Sequence, residues 1–161
     1  MKELLLLRHA KSSWESLVED RNRRLTEVGV NRIKRMATAS SELFKSFEVV
    51  FSSPANRAMH TACIMMHEVQ MPFEFLNLRE QLYTFEVSQL INFIKSLPDH
   101  YSKVICVGHN PAFTYAVSTL STTNLDHLPT AAWAQIQFEQ NQWNLIDKGQ
   151  ARIGLPKDIL K

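Results

Sequence analysis

The chain has 161 residues, of which 45% are hydrophobic and 21% charged, and its formal net charge at pH 7 is +2. This length fits one domain, residues 1–161, with a substantial hydrophobic core, and the composition excludes disordered and fibrous classes. The small net charge gives no indication of nucleic-acid binding, so we expect no nucleic-acid partner.

The cysteines and the N-terminal apolar run bear on the compartment. Cys63 and Cys106 lie in apolar segments and are expected to be buried free thiols, which is typical of a reducing compartment. The apolar run over residues 4–7 is interrupted by Arg8 and is too short for a signal peptide or a membrane span. We therefore expect a soluble, cytoplasmic protein without a membrane partner.

The first predicted elements are a strand, a polar loop and a helix. Residues 4–7 are four leucines, and a short continuous apolar run indicates a strand buried on both faces of a parallel sheet. Arg8 and His9 stand where this strand ends. A polar loop follows over residues 11–24, and Thr26 is the candidate N-cap of the helix after it.

A second strand, a second helix and a third strand are predicted next. Residues 48–51 form a short apolar run, and a Ser-Pro pair follows at residues 53–54. Because serine caps helices and proline prefers the first helical position, we predict a helix over residues 53–67, with Arg57 one turn into it. Residues 72–76 are the candidate third strand.

The next segment repeats the pattern of strand, cap and helix. Residues 87–97 have their apolar side chains on one helical face, and residues 103–107 are an apolar strand that leads to His109. Asn110-Pro111 is a second cap and proline signal, which predicts a helix that ends near residue 120.

The C-terminal segment alternates between apolar and polar residues. Residues 132–138 and 143–146 show this alternation around a polar turn, which predicts a C-terminal hairpin. Strands and helices alternate through the rest of the chain. The predicted fold is therefore a three-layer α/β/α sandwich with a mostly parallel central sheet.

Side chains suited to phosphate follow three of the predicted strands: Arg8 and His9, then Arg57, then His109. In open α/β sheets, ligands bind outside the carboxyl ends of the strands. Arginine forks match phosphate oxygens, and helix N-termini favour anions. The set therefore predicts a phosphoryl group that is held by two arginines and flanked by two imidazoles.

Each of these residues also has a simpler interpretation. A single histidine after a strand is more often a hydrogen-bonded turn residue, and Arg57 alone would be a surface side chain. Paired histidines also bind metal ions, but the flanking arginines oppose a cation, and no Asp or Cys accompanies either histidine. The coincidence of four such residues favours an anion site, and we expect neither a metal nor a cofactor.

Four segments resemble, in order, motifs of the histidine phosphatase superfamily, which is phosphoglycerate mutase-like. Arg-His-Ala at residues 8–10 resembles its "RHG" signature, with alanine in the glycine place. Leu-Thr-x-x-Gly at residues 25–29, Ser-Ser-Pro-Ala-x-Arg-Ala-x-x-Thr-Ala at 52–62 and Val-Gly-His-Asn-Pro at 107–111 resemble the other motifs. The short chain and the form Arg-His-Ala-Lys-Ser-Ser-Trp are most similar to the small phosphohistidine phosphatase branch.

The resemblance implies a role for each matching residue. His9 would be the nucleophile, which takes the phosphoryl group onto its imidazole. Arg8, Arg57 and His109 would bind the phosphoryl oxygens and stabilise the charge of the transition state. Ser12 stands where the family often has a serine that contacts phosphate.

The proton donor and the loop after the first strand fit the family pattern less well. Glu80 resembles the acid that protonates the leaving group in larger members, but a salt bridge to Arg79 or another arginine explains it equally well. Glu15 replaces an asparagine, and Arg24 replaces a proline that is usual in the family. We expect Glu15 to alter the contacts of this loop and Arg24 to alter its shape, without an effect on the chemistry.

The implied activity is that of a phosphohistidine phosphatase with a covalent intermediate on His9. The expected substrate is a phosphoprotein that carries phosphohistidine. Two alternatives stay open: a phosphomonoesterase that acts on a small phosphorylated molecule, and a phospho-ligand binding module without turnover. An intact nucleophile argues against the last of these, because binding alone does not need one.

Overall fold

The computed structural model describes residues 1–15 and 17–161, and these form one sheet covered by helices on both faces. The strands are β1 (Lys2–Arg8), β2 (Val49–Ser52), β3 (Leu76–Leu78), β4 (Lys103–Gly108), β5 (Trp133–Phe138) and β6 (Gln150–Gly154). The helices are α1 (Glu27–Ala39), α2 (Ser41–Lys45), α3 (Asn56–Glu68), α4 (Val87–Lys95), α5 (Ala112–Leu120) and α6 (Pro156–Ile159).

The strand order is β3-β2-β4-β1-β5-β6. The first four of these strands are parallel, while β5 and β6 are antiparallel additions at one side. The prediction of a mostly parallel central sheet in an α/β fold is confirmed. Within the described part of the chain, no helix is long and apolar enough to span a membrane.

The leucines of β1 stabilise both layers of helices. Leu4 and Leu6 pack in a core that contains residues of α4 and α5, whereas Leu5 and Leu7 pack in a second core with residues of α1 and α3. All four side chains are fully buried, and each contributes about 1.5–3 kcal/mol by its removal from water. A strand buried on both faces is what the unbroken apolar run predicted.

The second predicted helix begins later than expected. The residues of the Ser-Pro pair lie outside α3, and its N-cap is Ala55, whose side chain offers no hydrogen bond. The hydroxyl of Ser53 is used elsewhere, since its oxygen accepts from the Ala55 amide and lies 2.8 Å from His109 Nε2. The predicted third strand is also shifted, because Phe73–Phe75 form a 3₁₀ turn before β3.

The predicted C-terminal hairpin is half wrong. Its first strand is β5, but the partner of β5 is β6, in the register Trp133↔Gly154. Residues 143–146 do not pair, because Trp143 is buried and its Nε1 donates to the Tyr101 carbonyl. Packing of one large aromatic ring therefore outweighs the local alternation that indicated a strand.

Two smaller predictions have opposite outcomes. The Thr26 side chain accepts from the Gly29 amide at 3.0 Å, which confirms it as the N-cap of α1. Cys106 is buried as predicted, whereas Cys63 is half-buried, so the expectation of burial was wrong for that residue. It lies on α3, between the buried face of that helix and solvent.

Candidate active site

The carboxyl ends of three parallel strands meet at one cavity of about 340 Å³. The register pairs Arg8 with Gly108, and Ser52 with Val107, so the residues that follow these strands lie side by side. The cavity is lined by Arg8, His9, Lys11, Ser12, Trp14, Asp20, Arg23, Arg57, Phe85, His109, Asn110 and Thr130. It thus contains five of the six residues singled out from the sequence.

His9 presents a free nitrogen within a buried ring. Its Nδ1 lies 2.7 Å from the carbonyl oxygen of Ala10, which can only accept, so the Nδ1 proton donates there and Nε2 keeps its lone pair. Burial lowers the pKa of His9 to about 4, and the charges of Arg57 and Arg8 add to this effect. At neutral pH the imidazole is therefore uncharged and able to act as a nucleophile.

His109 is the second imidazole of the cavity. Its ring centroid lies 5.3 Å from that of His9, and its Nε2 lies 2.8 Å from the hydroxyl oxygen of Ser53. Burial lowers the pKa of His109 to about 3, and the Arg57 charge contributes in the same direction. His109 is therefore also neutral at pH 7, and it serves as a hydrogen-bonding group without a charge.

Asp20 holds the guanidinium of Arg57 from two sides. Arg57 Nη1 donates to the Asp20 backbone carbonyl at 2.7 Å, and Nη2 donates to the carboxylate Oδ2 at 3.0 Å. The same carboxylate accepts from the Tyr83 hydroxyl and from Arg23. Partial burial acts to raise the pKa of Asp20, but the bonds from Tyr83 and Arg57 outweigh it and hold that pKa well below its usual value.

Three buried nitrogen atoms of residues that line the cavity have no hydrogen-bond partner within the described residues: Arg8 Nε, Arg57 Nε and His109 Nδ1. A buried polar atom without a partner costs about 1–3 kcal/mol, so such atoms are rare outside sites that receive a ligand. Arg8 is otherwise anchored, since its Nη1 donates to the Leu128 carbonyl at 3.0 Å. The cluster is suited to an anion with several oxygens, such as a phosphoryl group.

The sequence analysis missed Arg23, a third arginine at the cavity. Its Nε donates to the Ser13 carbonyl at 2.8 Å, and its Nη2 donates to Ser12 Oγ at 2.6 Å. The guanidinium carbon lies 3.5 Å from the centroid of the exposed Trp14 ring. The spacing of Asp20 and Arg23, three residues apart in the loop after β1, was the available signal.

Glu80 lies outside the cavity lining, and its role as the acid beside the leaving group stays a prediction. Its carboxylate forms a two-point pair with Arg21, at 2.6 and 3.0 Å, and its side chain is 69% exposed. The hydrogen bond from Arg21 lowers the pKa of Glu80, which favours the ionised form. The alternative of a salt bridge is thus the one observed, with Arg21 in place of Arg79.

A group of metal-ligating side chains would be an alternative use of the cavity. Among residues 1–15 and 17–161, no three His, Cys, Asp or Glu side chains are placed to hold a metal ion. The positive charge that faces the cavity comes from Arg8, Arg23, Arg57 and Lys11. The site is therefore built from fixed cations and neutral imidazoles.

Comparison with known families and proteins agrees with this geometry. The model of the histidine phosphatase superfamily (branch 1) matches residues 4–86, which include Arg8, His9 and Arg57. An uncharacterized chloroplastic protein of Arabidopsis thaliana is 31% identical over 152 residues, which cover 88% of this chain and 69% of that protein.

Solved structures share the fold at lower identity. The protein histidine phosphatase SixA complexed with tungstate has a TM-score of 0.82 and 21% identity, with 99% of each chain covered. A candidate alpha-ribazole-5'-P phosphatase from Escherichia coli has a TM-score of 0.71 and 17% identity, with 96% of each chain covered. The phosphoglycerate mutase-like architecture is therefore common to these proteins and to this chain.

Proposed function

We propose that this chain, which belongs to branch 1 of the histidine phosphatase superfamily, hydrolyses phosphohistidine through a phosphoryl intermediate on His9. The observation that carries the proposal is the state of the His9 ring. Its Nδ1 is engaged by the Ala10 carbonyl, and its neutral Nε2 belongs to a cavity lined by three arginines.

The buried donors without partners support the binding of a phosphoryl group. Arg8 Nε, Arg57 Nε and His109 Nδ1 would each donate to an oxygen of that group. Charge-assisted hydrogen bonds of this kind are about twice as strong as neutral ones. Because the arginines are fixed before the substrate arrives, they need no reorganisation as charge develops in the transition state.

In the first step, His9 Nε2 attacks phosphorus. The Nε2–P bond forms as the bond from phosphorus to the leaving group breaks, and the leaving group keeps the electron pair and takes up a proton. The His9 ring becomes positively charged, and its bond from Nδ1 to the Ala10 carbonyl, 2.7 Å long, stabilises that charge.

In the second step, a water oxygen attacks the same phosphorus. The Nε2–P bond breaks, its electron pair returns to Nε2, and the attacking water gives a proton to the surrounding solvent as inorganic phosphate leaves. The arginines face the same phosphoryl oxygens in both steps, so one set of donors stabilises both transition states. His9 is regenerated as a neutral nucleophile.

No protonated acid lines the cavity in the part of the chain that the structure describes, and this favours phosphohistidine as the substrate. Asp20 is the carboxylate of the lining, and its bonds to Arg57, Arg23 and Tyr83 keep it ionised. An imidazole leaving group has a pKa of about 6.5 and is protonated readily by solvent, whereas an alkoxide needs a strong acid beside it. We therefore propose a phosphoprotein that carries phosphohistidine, with no metal or cofactor in the reaction.

The experiment is intact-mass analysis after brief mixing with a phosphohistidine peptide, in the presence of a chelator. The wild-type protein is expected to show a transient, acid-labile phosphoryl adduct, and His9→Ala is expected to show none. His60→Ala is the matched control, because His60 is an exposed histidine on α3 outside the cavity lining.

Each other outcome contradicts part of the proposal. Release of phosphate without an adduct would mean direct attack by water, and loss of activity with the chelator would mean that a metal takes part. Faster turnover of alkyl or aryl phosphates than of the peptide would make the chain a small-molecule phosphomonoesterase. Binding of the peptide without any release would make it a binding module.

A further inference from the structure

We propose that Ser53 is a positioning residue that fixes the tautomer of His109 with its proton on Nδ1. This nitrogen is then a hydrogen-bond donor toward a phosphoryl oxygen. The inference rests on the proposed function for its catalytic consequence, but the tautomer itself is a property of the ligand-free protein.

Ser53 is held rigidly at the point where two parallel strands end. It is fully buried, and its amide donates to the Val107 carbonyl of β4 at 3.0 Å. Its hydroxyl oxygen accepts from the Ala55 amide at 3.2 Å and lies 2.8 Å from His109 Nε2. Backbone contacts thus decide where this hydroxyl lies before any ligand is bound.

The direction of the bond between Ser53 and His109 follows from what each atom can do. The Ala55 amide can only donate, so the hydroxyl proton must find another acceptor. His109 Nε2 is the acceptor within reach among the residues that the structure describes. If Nε2 carried the proton, a fully buried hydroxyl would have no acceptor, which is unfavourable for a buried polar group.

The tautomer decides what His109 offers to a ligand. The ring is neutral at pH 7, since burial lowers its pKa to about 3, and a neutral imidazole has a single N–H. With Nε2 as the acceptor from Ser53, that N–H is at Nδ1, which is buried and without a partner in the described part of the chain. In the other tautomer, Nδ1 would carry a lone pair and could not donate a hydrogen bond to a phosphoryl oxygen.

The first measurement is the tautomer of His109 in the ligand-free protein. Long-range ¹H–¹⁵N correlation spectra of the histidine-labelled wild type are expected to show protonated Nδ1, with the signals assigned by their loss in His109→Gln. In Ser53→Ala, the signals are expected to move toward protonated Nε2 or toward an average of both tautomers. A wild-type spectrum with the proton on Nε2 would overturn the proposal.

The second measurement is turnover of the phosphohistidine peptide. Loss of one preorganised donor to a transition state lowers kcat by about 10²–10³-fold, and Ser53→Ala retains part of the donor population, so we expect a loss of about 10–100-fold. Ser53→Thr keeps the hydroxyl and is expected to restore both the tautomer and most of kcat. Unchanged kcat and an unchanged tautomer in Ser53→Ala would contradict the inference.

Ser52→Ala is the matched control. Ser52 is also fully buried, one residue earlier, and its hydroxyl donates to the Ser53 carbonyl rather than to the cavity. It is expected to keep the His109 tautomer and to keep kcat within about twofold, since loss of a single hydrogen bond to a backbone carbonyl affects mainly stability. An equal loss of kcat in both serine variants would show a structural effect and overturn the assignment to Ser53.

The spectra also separate this inference from the proposed function. If the wild type has protonated Nδ1 that depends on Ser53, yet hydrolyses no phosphate compound, then the proposed function fails while the tautomer assignment stands. If turnover proceeds through His9 while the tautomer is the same in wild type and Ser53→Ala, the inference alone fails. If Ser53→Ala does not fold, the wild-type spectrum together with the spectrum and kcat of Ser53→Thr still tests the proposal.

Discussion

Asp20 and Arg57 are joined by two hydrogen bonds across 37 residues of sequence, one to the carboxylate at 3.0 Å and one to the backbone carbonyl at 2.7 Å. The guanidinium is 2% exposed, so its charge is stabilised mainly by this one partner. The loop after β1 therefore does more than border the cavity. It fixes an arginine that belongs to α3.

Asp20→Ala is expected to lower kcat/KM for the phosphohistidine peptide by about 10–100-fold, because Arg57 loses its fixed orientation before substrate binding. Asp126→Ala is the control, since Asp126 is exposed and lies outside the cavity lining. The kcat/KM values of both variants are compared with that of the wild type by steady-state kinetics. Equal kinetics for Asp20→Ala and wild type would show that Arg57 is held by other groups.

The two buried imidazoles predict a loss of stability on acidification. The pKa values are about 4 for His9 and about 3 for His109 in the folded state, against about 6.5 in the unfolded state. Below pH 6.5 the unfolded state therefore binds more protons, and the free energy of unfolding falls as the pH falls toward 4, by up to about 1.4 kcal/mol per pH unit for each group. Above pH 6.5 both imidazoles are neutral in the folded and the unfolded state, so neither contributes to the pH dependence of the free energy of unfolding.

Urea unfolding of wild type and His109→Gln at pH 7 and pH 5 measures this effect. The variant lacks one of the two groups, so its free energy of unfolding is expected to fall less between these pH values. Parallel losses in the two proteins would mean that His109 titrates normally in the folded state.

Glu80→Gln is expected to leave turnover of the phosphohistidine peptide within about twofold of wild type. The carboxylate is exposed and paired with Arg21, and an exposed ion pair contributes little to stability because water screens it. Turnover of an aryl phosphate, measured in parallel, is expected to change as little. A loss of tenfold or more on the aryl phosphate alone would return Glu80 to the role of acid for oxygen leaving groups.

Gly29→Ala is expected to destabilise the protein, although alanine is favoured over glycine within helices by about 1 kcal/mol. A Cβ at this position would lie 2.2 Å from the Lys11 carbonyl oxygen, so α1 and the loop beside the cavity would have to separate. We expect a loss of about 1–3 kcal/mol in thermal or urea unfolding, as for other overpacked sites. Val28→Ala, at an exposed neighbouring position, is the control and should have little effect.

The sequence by itself determined the strands that carry the site and the residues at their ends. Unbroken apolar runs gave β1, β2 and β4, because a strand covered on both faces needs every side chain to be apolar. The Thr26 cap predicted the start of α1, because its hydrogen bond from the Gly29 amide joins residues only three positions apart. Patterns of this kind involve only residues that are close in the sequence, and so they can be predicted from the sequence alone.

Only the tertiary structure decided which distant groups meet. The partner of β5 is β6, while Trp143 packs in the core, and Glu80 pairs with Arg21 outside the cavity lining. The choice of an ion pair or a packed ring depends on distances between segments far apart in the chain, and the free-energy differences are only a few kcal/mol. The periodicity of the sequence does not indicate these distances or these free-energy differences.

The same reason applies within the site. Arg8, His9, Arg57 and His109 could be selected from the sequence, but the tautomer of His109 depends on a hydroxyl 56 residues away. The orientation of Arg57 likewise depends on Asp20, and the position of Arg23 on Ser12. The sequence defines the residue types. The direction of each hydrogen bond depends on the tertiary structure, which brings the strand ends and the loop after β1 together.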